Sequence, residues 1–223
     1  MDSEGVRVVA APIASAIAAK QMPIIYIITP TYSRPTQIPE MTRLAQTLMH
    51  VKNILWIVVE DSTTKSVALM ELLGRSDIPY VHLLAPKPKE HRNVLKDGRG
   101  VSNRLRALDW IRENCRSVAD HQTAGVIYFA DDDNTYDIRL FDEIRPTKGV
   151  SVFPVGLIEG TGLSAPILNN VTAKVIGWHD PCPGRKFGVD MAGFAISLDL
   201  FLSRPNVSMV YKAGFVEDSF LRS

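Results

Sequence analysis

Three consecutive carboxylates, Asp131, Asp132 and Asp133, follow directly on an apolar run, Val126-Ile127-Tyr128-Phe129-Ala130, within GVIYFADDDNTY. Such a β-branched and aromatic run reads as a buried strand. Three adjacent acids at its carboxyl end repel one another, so a positive partner is expected there. A hard divalent cation, held by one or two carboxylates and completed by substrate phosphates, suits that position. The plainer alternative is a solvated acidic turn with Asp133-Asn134 capping the next helix. The strand context favours the cation, because open α/β sheets bind ligands at the carboxyl ends of their strands.

Two other apolar runs end in polar residues, at Thr29-Pro30-Thr31-Tyr32 and at Glu60-Asp61. Tyr32 has a ring that can stack on a base. Asp61 can accept a base N–H, and equally suits the N-cap of the helix that follows. In KDGRGVSNRLR, Arg99 precedes a glycine at a helix start and Arg104 lies on the first turns. Guanidinium groups there suit phosphate or ribose contacts; a basic, solvated helix face is the ordinary alternative. Neither a Walker lysine motif nor GxGxxG is found, which argues against P-loop and dinucleotide folds. The set fits a nucleoside diphosphate with a divalent ion.

The elements that must position these residues alternate. Pro23–Thr29, ended by Pro30, reads as a buried parallel strand, and Ile38–His50 carries a helical period. Strand Ile54–Glu60, short helix Val67–Leu73 with Gly74 as its stop, strand Tyr80–Leu84, helix Val101–Asn114 and strand Val126–Ala130 follow. Such alternation predicts an α/β fold with a parallel sheet built from βαβ units. Beyond Asp133 the pattern loosens into a short helix Ile138–Ile144, a strand Val150–Val155, a Gly- and Pro-rich stretch through Pro183-Gly184, a strand Phe194–Leu198 and a short helix Asp199–Ser203. The expected organisation is an N-terminal tail 1–21, a nucleotide-sugar half 22–133 and a smaller mixed half 134–223.

The 223 residues are 46% hydrophobic with net charge +1, enough for a sizeable core and too weakly basic to suggest a nucleic-acid partner. Cys115 and Cys182 match no metal-ligand spacing; free thiols and a single bridge both stay open. Val8–Ala19 is apolar but shorter than the roughly 20 residues a membrane span needs, and is read as a non-membrane tail. Asn170-Val171-Thr172 and Asn206-Val207-Ser208 are glycosylation sequons, a weak pointer to a secretory compartment.

PTYSRP, VVEDS, RGVSNR, YFADDDNTY, FPVGL, VDMAGFA and the closing VEDSFL, in that order, closely resemble the animal β-1,3-glucuronosyltransferases across residues 22–223. The resemblance implies a GT-A type fold, a Rossmann-like parallel half with a smaller acceptor-binding half. It implies inverting transfer of glucuronic acid from UDP-glucuronic acid, with Mn2+ as cofactor. The acceptor would be the 3-hydroxyl of a terminal galactose in the Gal-Gal-Xyl linkage region of proteoglycans. It implies a type II protein of the Golgi membrane acting in the lumen, and is compatible with a homodimer. Another UDP-sugar transferase, or a non-catalytic relative that binds UDP or glycan, are the alternatives.

Carried over motif by motif, Pro30, Thr31, Tyr32 and Asp61 match uridine-binding positions, and Arg99 and Arg104 the arginines of the donor site. Asp131 and Asp132 match the ribose and metal-water positions, and Asp133 the direct manganese ligand. Arg185 and Asp190 match positions lining the sugar cleft, and Glu217 the catalytic base. Without the resemblance, Glu217 would read as a helix-start acid of a surface helix. The family pattern continues past VEDSFL, whereas this sequence ends at Ser223. The expectation is therefore a C-terminally incomplete second half that binds UDP weakly and transfers poorly. Pro181-Cys182-Pro183 stands where many relatives carry an aromatic residue on the acceptor side.

Overall fold

A computed structural model describes residues 22–92, 97–118, 125–158, 160, 162–172, 174–180 and 183–223, with the side chains of 116–118 excepted. The apolar tail Val8–Ala19 and Cys182 lie outside the described residues. Cys115 is a buried free thiol. Among the described residues no helix is long and apolar enough to cross a membrane.

The chain alternates as its periodicity dictates: β1 (Ile24–Thr31), α1 (Gln37–Leu48), β2 (Ile54–Glu60), α2 (Val67–Arg75), β3 (Tyr80–Leu84), α3 (Val101–Val118) and β4 (Gly125–Phe129). It continues through α4 (Arg139–Ile144), β5 (Val150–Val152), β6 (Val155–Gly156), β7 (Leu163–Ser164), β8 (Pro166–Leu168), β9 (Val175–Trp178), β10 (Phe194–Ser197), α5 (Leu198–Ser203) and α6 (Val216–Arg222). Six strands form one sheet in the order β3-β2-β1-β4-β10-β5. The pairs among β3, β2, β1 and β4 are parallel, whereas β10 runs antiparallel to both β4 and β5. The chain winds outward from β1 to β3 and then returns to the other side of β1 to lay down β4. That reversal opens a crevice beyond the carboxyl ends of β1 and β4, where such sheets hold ligands.

Alternate residues of β1 serve opposite faces. Ile25 and Ile27 join Met41, Leu44 and Leu48 of α1 and Leu69 and Leu72 of α2. Tyr26 and Ile28 join Leu108 and Ile111 of α3, together with Phe194, Phe201 and Phe220 from the second half. A sheet covered on both faces explains the near-continuous apolar runs. Phe220 of α6 packs edge-on to Phe129 at 5.5 Å and lies 5.9 Å from Phe194, which docks the last helix onto the strand that ends in the three aspartates.

Several boundaries differ from the sequence expectation for physical reasons. β1 runs through Pro30 to Thr31, because pairing with β4 ends at Ile28↔Phe129 and Pro30 has β2 as a neighbour on one side only. A strand with a free side tolerates the missing N–H. α2 passes through Gly74 to Arg75; the chain turns instead at Ser76, whose hydroxyl donates to the Leu73 carbonyl at 2.8 Å, and at Asp77, with φ of 53°. The single strand expected at Val150–Val155 divides at Phe153-Pro154. Phe153 donates its N–H to Gly193 at 2.7 Å, and Val155-Gly156 pairs with β7 in a separate two-stranded sheet. The Gly- and Pro-rich stretch holds the β8–β9 hairpin, a second small sheet.

Candidate active site

The crevice is a cleft of about 450 Å3. Pro30, Thr31, Tyr32, Asp61, Arg99, Arg104, Asp131, Asp132 and Asp133 all line it, so every residue assigned to donor and metal binding from the sequence converges on one cavity. Thr31 ends β1, Asp61 follows β2, and the aspartates follow β4. Tyr32 is 46% exposed at the lip, with its ring open to a ligand on one side and the Arg34 guanidinium 4.7 Å from its centroid.

The three aspartates are not equivalent. Asp132 is buried, accepting the Thr31 hydroxyl at 2.6 Å through Oδ2 and pairing with Arg34 at 2.7 Å through Oδ1. Gln37 in turn donates to Thr31 Oγ1 at 3.1 Å. Asp131 pairs with Arg104 at 2.5 Å, and its carbonyl accepts the Tyr136 hydroxyl at 2.9 Å. Asp133 is exposed and makes no ion pair among the described residues. Its partial burial, together with the like charges of Asp131 and Asp132, pushes its pKa up. A cation would relieve that repulsion. No group of three or more His, Cys, Asp or Glu side chains gathers to hold a metal among the described residues. A cation at Asp133 must therefore complete its shell with water and substrate oxygens, the arrangement that hard divalent ions adopt on phosphate substrates. The donor set fits Mn2+ on those terms.

The basic side of the cleft is built by the turn before α3. Arg104 donates to the Arg99 carbonyl at 2.9 Å and to Asp131, while its buried Nε has no hydrogen-bond partner among the described residues. Gly100 sits at φ +67°, and a Cβ there would stand 2.8 Å from the Arg104 guanidinium and 3.1 Å from Pro30, so glycine is required for the turn to close on β1. Asp61 is fixed at the cleft wall, accepting the Lys87 N–H at 2.7 Å, while its own N–H donates to Thr31 at 2.8 Å.

Arg185, Asp190 and Glu217 lie outside this cavity and form a second group that borders it. Arg185 stands 3.8 Å from Glu217. Asp190 feels the charges of Asp131, Arg104 and Arg185, and burial pushes its pKa up. Burial likewise raises the pKa of Glu217, a rise partly opposed by Arg185 and Arg104 and strengthened by Asp190. Glu217 Oε2 is buried without a hydrogen-bond partner among the described residues. A buried acceptor without a hydrogen bond is costly. Glu217 is on α6, which is no surface helix: Val216, Asp218 and Phe220 are buried.

Sequence reasoning missed Arg34, Lys87, Gly100 and Asn103. Asn103 bridges α3 to β2 by donating to the Val59 carbonyl at 3.1 Å, and it lines the cleft with Lys87 and Gly100. Both Arg34 and Asn103 lie within the motifs PTYSRP and RGVSNR, but nothing local in those motifs says which side chains turn inward.

The class follows from a further match: residues 44–223 fit the family described as Glycosyltransferase family 43, and the chain belongs to that family. It is similar to Drosophila melanogaster galactosylgalactosylxylosylprotein 3-beta-glucuronosyltransferase P, at 47% identity over 209 residues, 93% of this chain and 42% of that protein. Its similarity to the Drosophila melanogaster protein of the same name with the suffix S is 47% over 204 residues, 91% of this chain and 48% of that protein. The corresponding human protein 2 is 42% identical over 208 residues, 91% of this chain and 62% of that protein. The chain thus spans about half the length of the curated relatives it matches.

Proposed function

We propose that the chain carries the donor site and base of a Mn2+-dependent inverting transferase. It moves glucuronic acid from UDP-glucuronic acid to the 3-hydroxyl of a terminal galactose in a Gal-Gal-Xyl linker on protein. The observation that carries this reading is the position of Glu217. A part-buried carboxylate, one of whose oxygens accepts no hydrogen bond among the described residues, borders a cleft whose walls hold an aromatic ring, an aspartate suited to a base N–H, two arginines and an aspartate without an ion pair among the described residues. The names of the relatives supply the sugar and the acceptor.

In this reading Tyr32 stacks on uracil, Asp61 accepts a uracil N–H, and Asp131, oriented by Arg104 and Tyr136, faces the ribose. Arg99 and Arg104 bind the diphosphate. Asp133 would hold the manganese ion, which adds Lewis-acid stabilisation to the leaving diphosphate. Arg185 and Asp190 border the transferred sugar. Glu217 takes the proton of the acceptor hydroxyl as that oxygen bonds to the sugar carbon from the face opposite UDP. The bond to the diphosphate oxygen breaks with its electron pair leaving on UDP, and the configuration inverts. A carboxylate whose pKa burial has raised is a stronger base than a solvated one. In this reading the reaction runs in the Golgi lumen; the exposed sequons at Asn170 and Asn206 are compatible with it.

The test is a panel of UDP-sugars against a galactosyl-galactose acceptor, with and without Mn2+. Transfer of glucuronic acid alone, abolished by a chelator and restored by Mn2+, is expected. Preference for another UDP-sugar would assign a different transferase, and UDP binding without any transfer would assign a binding protein.

A further inference from the structure

The residue after Glu217 is more deeply buried than Glu217 itself, and it is charged. Asp218 is 3% exposed. Its Oδ1 accepts the backbone N–H of Lys186 at 2.7 Å and of Phe187 at 2.8 Å. Its Oδ2 accepts Arg222 Nε at 2.7 Å, and Arg222 also donates to the Gly184 carbonyl at 3.1 Å. Burial alone would raise the Asp218 pKa, but these donors outweigh it and hold the carboxyl below its usual range. A carboxylate accepting several N–H groups is among the stronger anchors a protein can build.

The segment so gripped, 184–187, carries Arg185. That guanidinium is itself directed by donation to the Phe187 carbonyl at 3.0 Å and to the Val189 carbonyl. It ends 3.8 Å from Glu217 Oε2. Trp178 of β9 braces the same segment from the other side, with Nε1 donating to the Lys186 carbonyl at 3.0 Å and its ring 6.3 Å from Phe187. Neighbouring residues on one helix therefore differ in their contacts: Glu217 stands beside Arg185, and Asp218 holds the loop that carries Arg185.

We propose that Asp218 is a positioning residue that clamps the 184–187 loop to α6 and thereby fixes Arg185 against Glu217. The inference rests on the reading of Glu217 as the base. The charged groups that face Glu217 are Arg185, Asp190 and Arg104. Releasing the loop removes Arg185 from that set and leaves Asp190 opposed by Arg104 alone, so the base should hold its proton to higher pH.

The experiment compares the 223-residue chain with Asp218→Ala, Asp218→Asn and Arg222→Gln. Glucuronate transfer is measured against pH, UDP binding by calorimetry, and loop release by trypsin cleavage after Arg185 and Lys186 and by acrylamide quenching of Trp178. For Asp218→Ala, kcat should fall by about 10²-fold, the size expected for a misplacement of about 1 Å. The acid limb of the kcat profile should move to higher pH, UDP affinity should stay within about threefold, and loop cleavage should accelerate. Asp218→Asn, which keeps an acceptor oxygen, and Arg222→Gln should give smaller changes in the same directions. If Asp218→Ala does not fold, the two milder variants carry the comparison. An unmoved acid limb, or loss of transfer and UDP binding by the same factor, would mean that Asp218 merely supports the fold, and the proposal fails. If Glu217→Gln retains transfer in the same assay, the reading of Glu217 as base fails instead, while loop cleavage still decides whether the clamp exists.

Discussion

Arg185 stands 3.8 Å from Glu217 but commits its hydrogen bonds to the carbonyls of Phe187 and Val189. It therefore lends Glu217 positive potential without taking up its oxygens. An ion pair with direct hydrogen bonds would stabilise the carboxylate and weaken it as a base. The longer approach leaves Oε2 without a hydrogen-bond partner among the described residues, and burial keeps the proton affinity of the carboxyl raised.

The first prediction follows from that arrangement. Glu217→Gln should lower kcat by about 10²–10⁴-fold, the usual contribution of a general base, with UDP affinity unchanged. It should also stabilise the fold. A carboxyl whose folded pKa is raised contributes stability below its unfolded pKa and loses it as pH rises through the folded value. At neutral pH the variant should therefore melt above the wild type, and the gain should vanish near pH 4. Thermal melts at both pH values check this; a neutral-pH Tm at or below that of the wild type would show that Glu217 is not strained.

The second prediction concerns the aspartate without an ion pair. Asp133→Ala should remove the Mn2+-dependent part of UDP affinity and leave the metal-free part intact. Asp131 and Asp132 are already engaged by Arg104, Arg34 and Thr31, so they cannot substitute without breaking those bonds. Calorimetry of UDP binding with and without Mn2+ decides it. Equal Mn2+ dependence in the two proteins would move the metal elsewhere.

The third prediction concerns Arg34, which pairs with Asp132 and Glu40. With side-chain exposures of 12% and 7%, the Arg34–Asp132 pair is largely desolvated. Arg34→Ala should destabilise the fold by about 3–5 kcal/mol because it leaves a buried charge uncompensated. Arg34→Ala combined with Asp132→Asn should cost less than the sum of the single changes. Urea denaturation of the four proteins tests this, and additivity within about 0.5 kcal/mol would refute the coupling.

The parallel half was legible because each of its signals is local. A strand buried on both faces is an apolar run, the run ends where polar residues begin, and α/β topology brings those ends together. Thr31, Asp61 and Asp131 to Asp133 could thus be placed in one crevice before any coordinates. The second half was not legible in that way. The strands of its small sheets are two to four residues long, too short for a period. Asp218 reads in sequence as one more acid near a helix start; its burial depends on Lys186 and Phe187, over 30 residues away. Glu217, Arg185 and Asp190 entered only through family resemblance, since no local pattern sets a loop against a helix.

The last prediction addresses how the two halves are kept in register. A Cβ on Gly98 would stand 2.5 Å from Cγ2 of Val216 and 3.2 Å from Cγ2 of Val101. Gly98 adjoins Arg99, which lines the cleft, and Val216 adjoins Glu217. Contact between them thus joins the turn proposed to bind phosphate to the helix that carries the proposed base. Valine is stiff at χ1 and cannot swing clear, so even alanine at position 98 must push α6 away from the turn. Gly98→Ala should destabilise the fold by about 1–3 kcal/mol, the usual range for overpacking. It should also lower kcat more than it changes UDP affinity, because the displaced element carries Glu217. Val216→Ala should be destabilising alone yet restorative in the Gly98→Ala background, since it removes the colliding methyl groups. Stability and transfer rates of the two single variants and the double variant give the cycle. If the double variant is as impaired as the sum of the singles, the Gly98–Val216 contact does not set the position of Glu217.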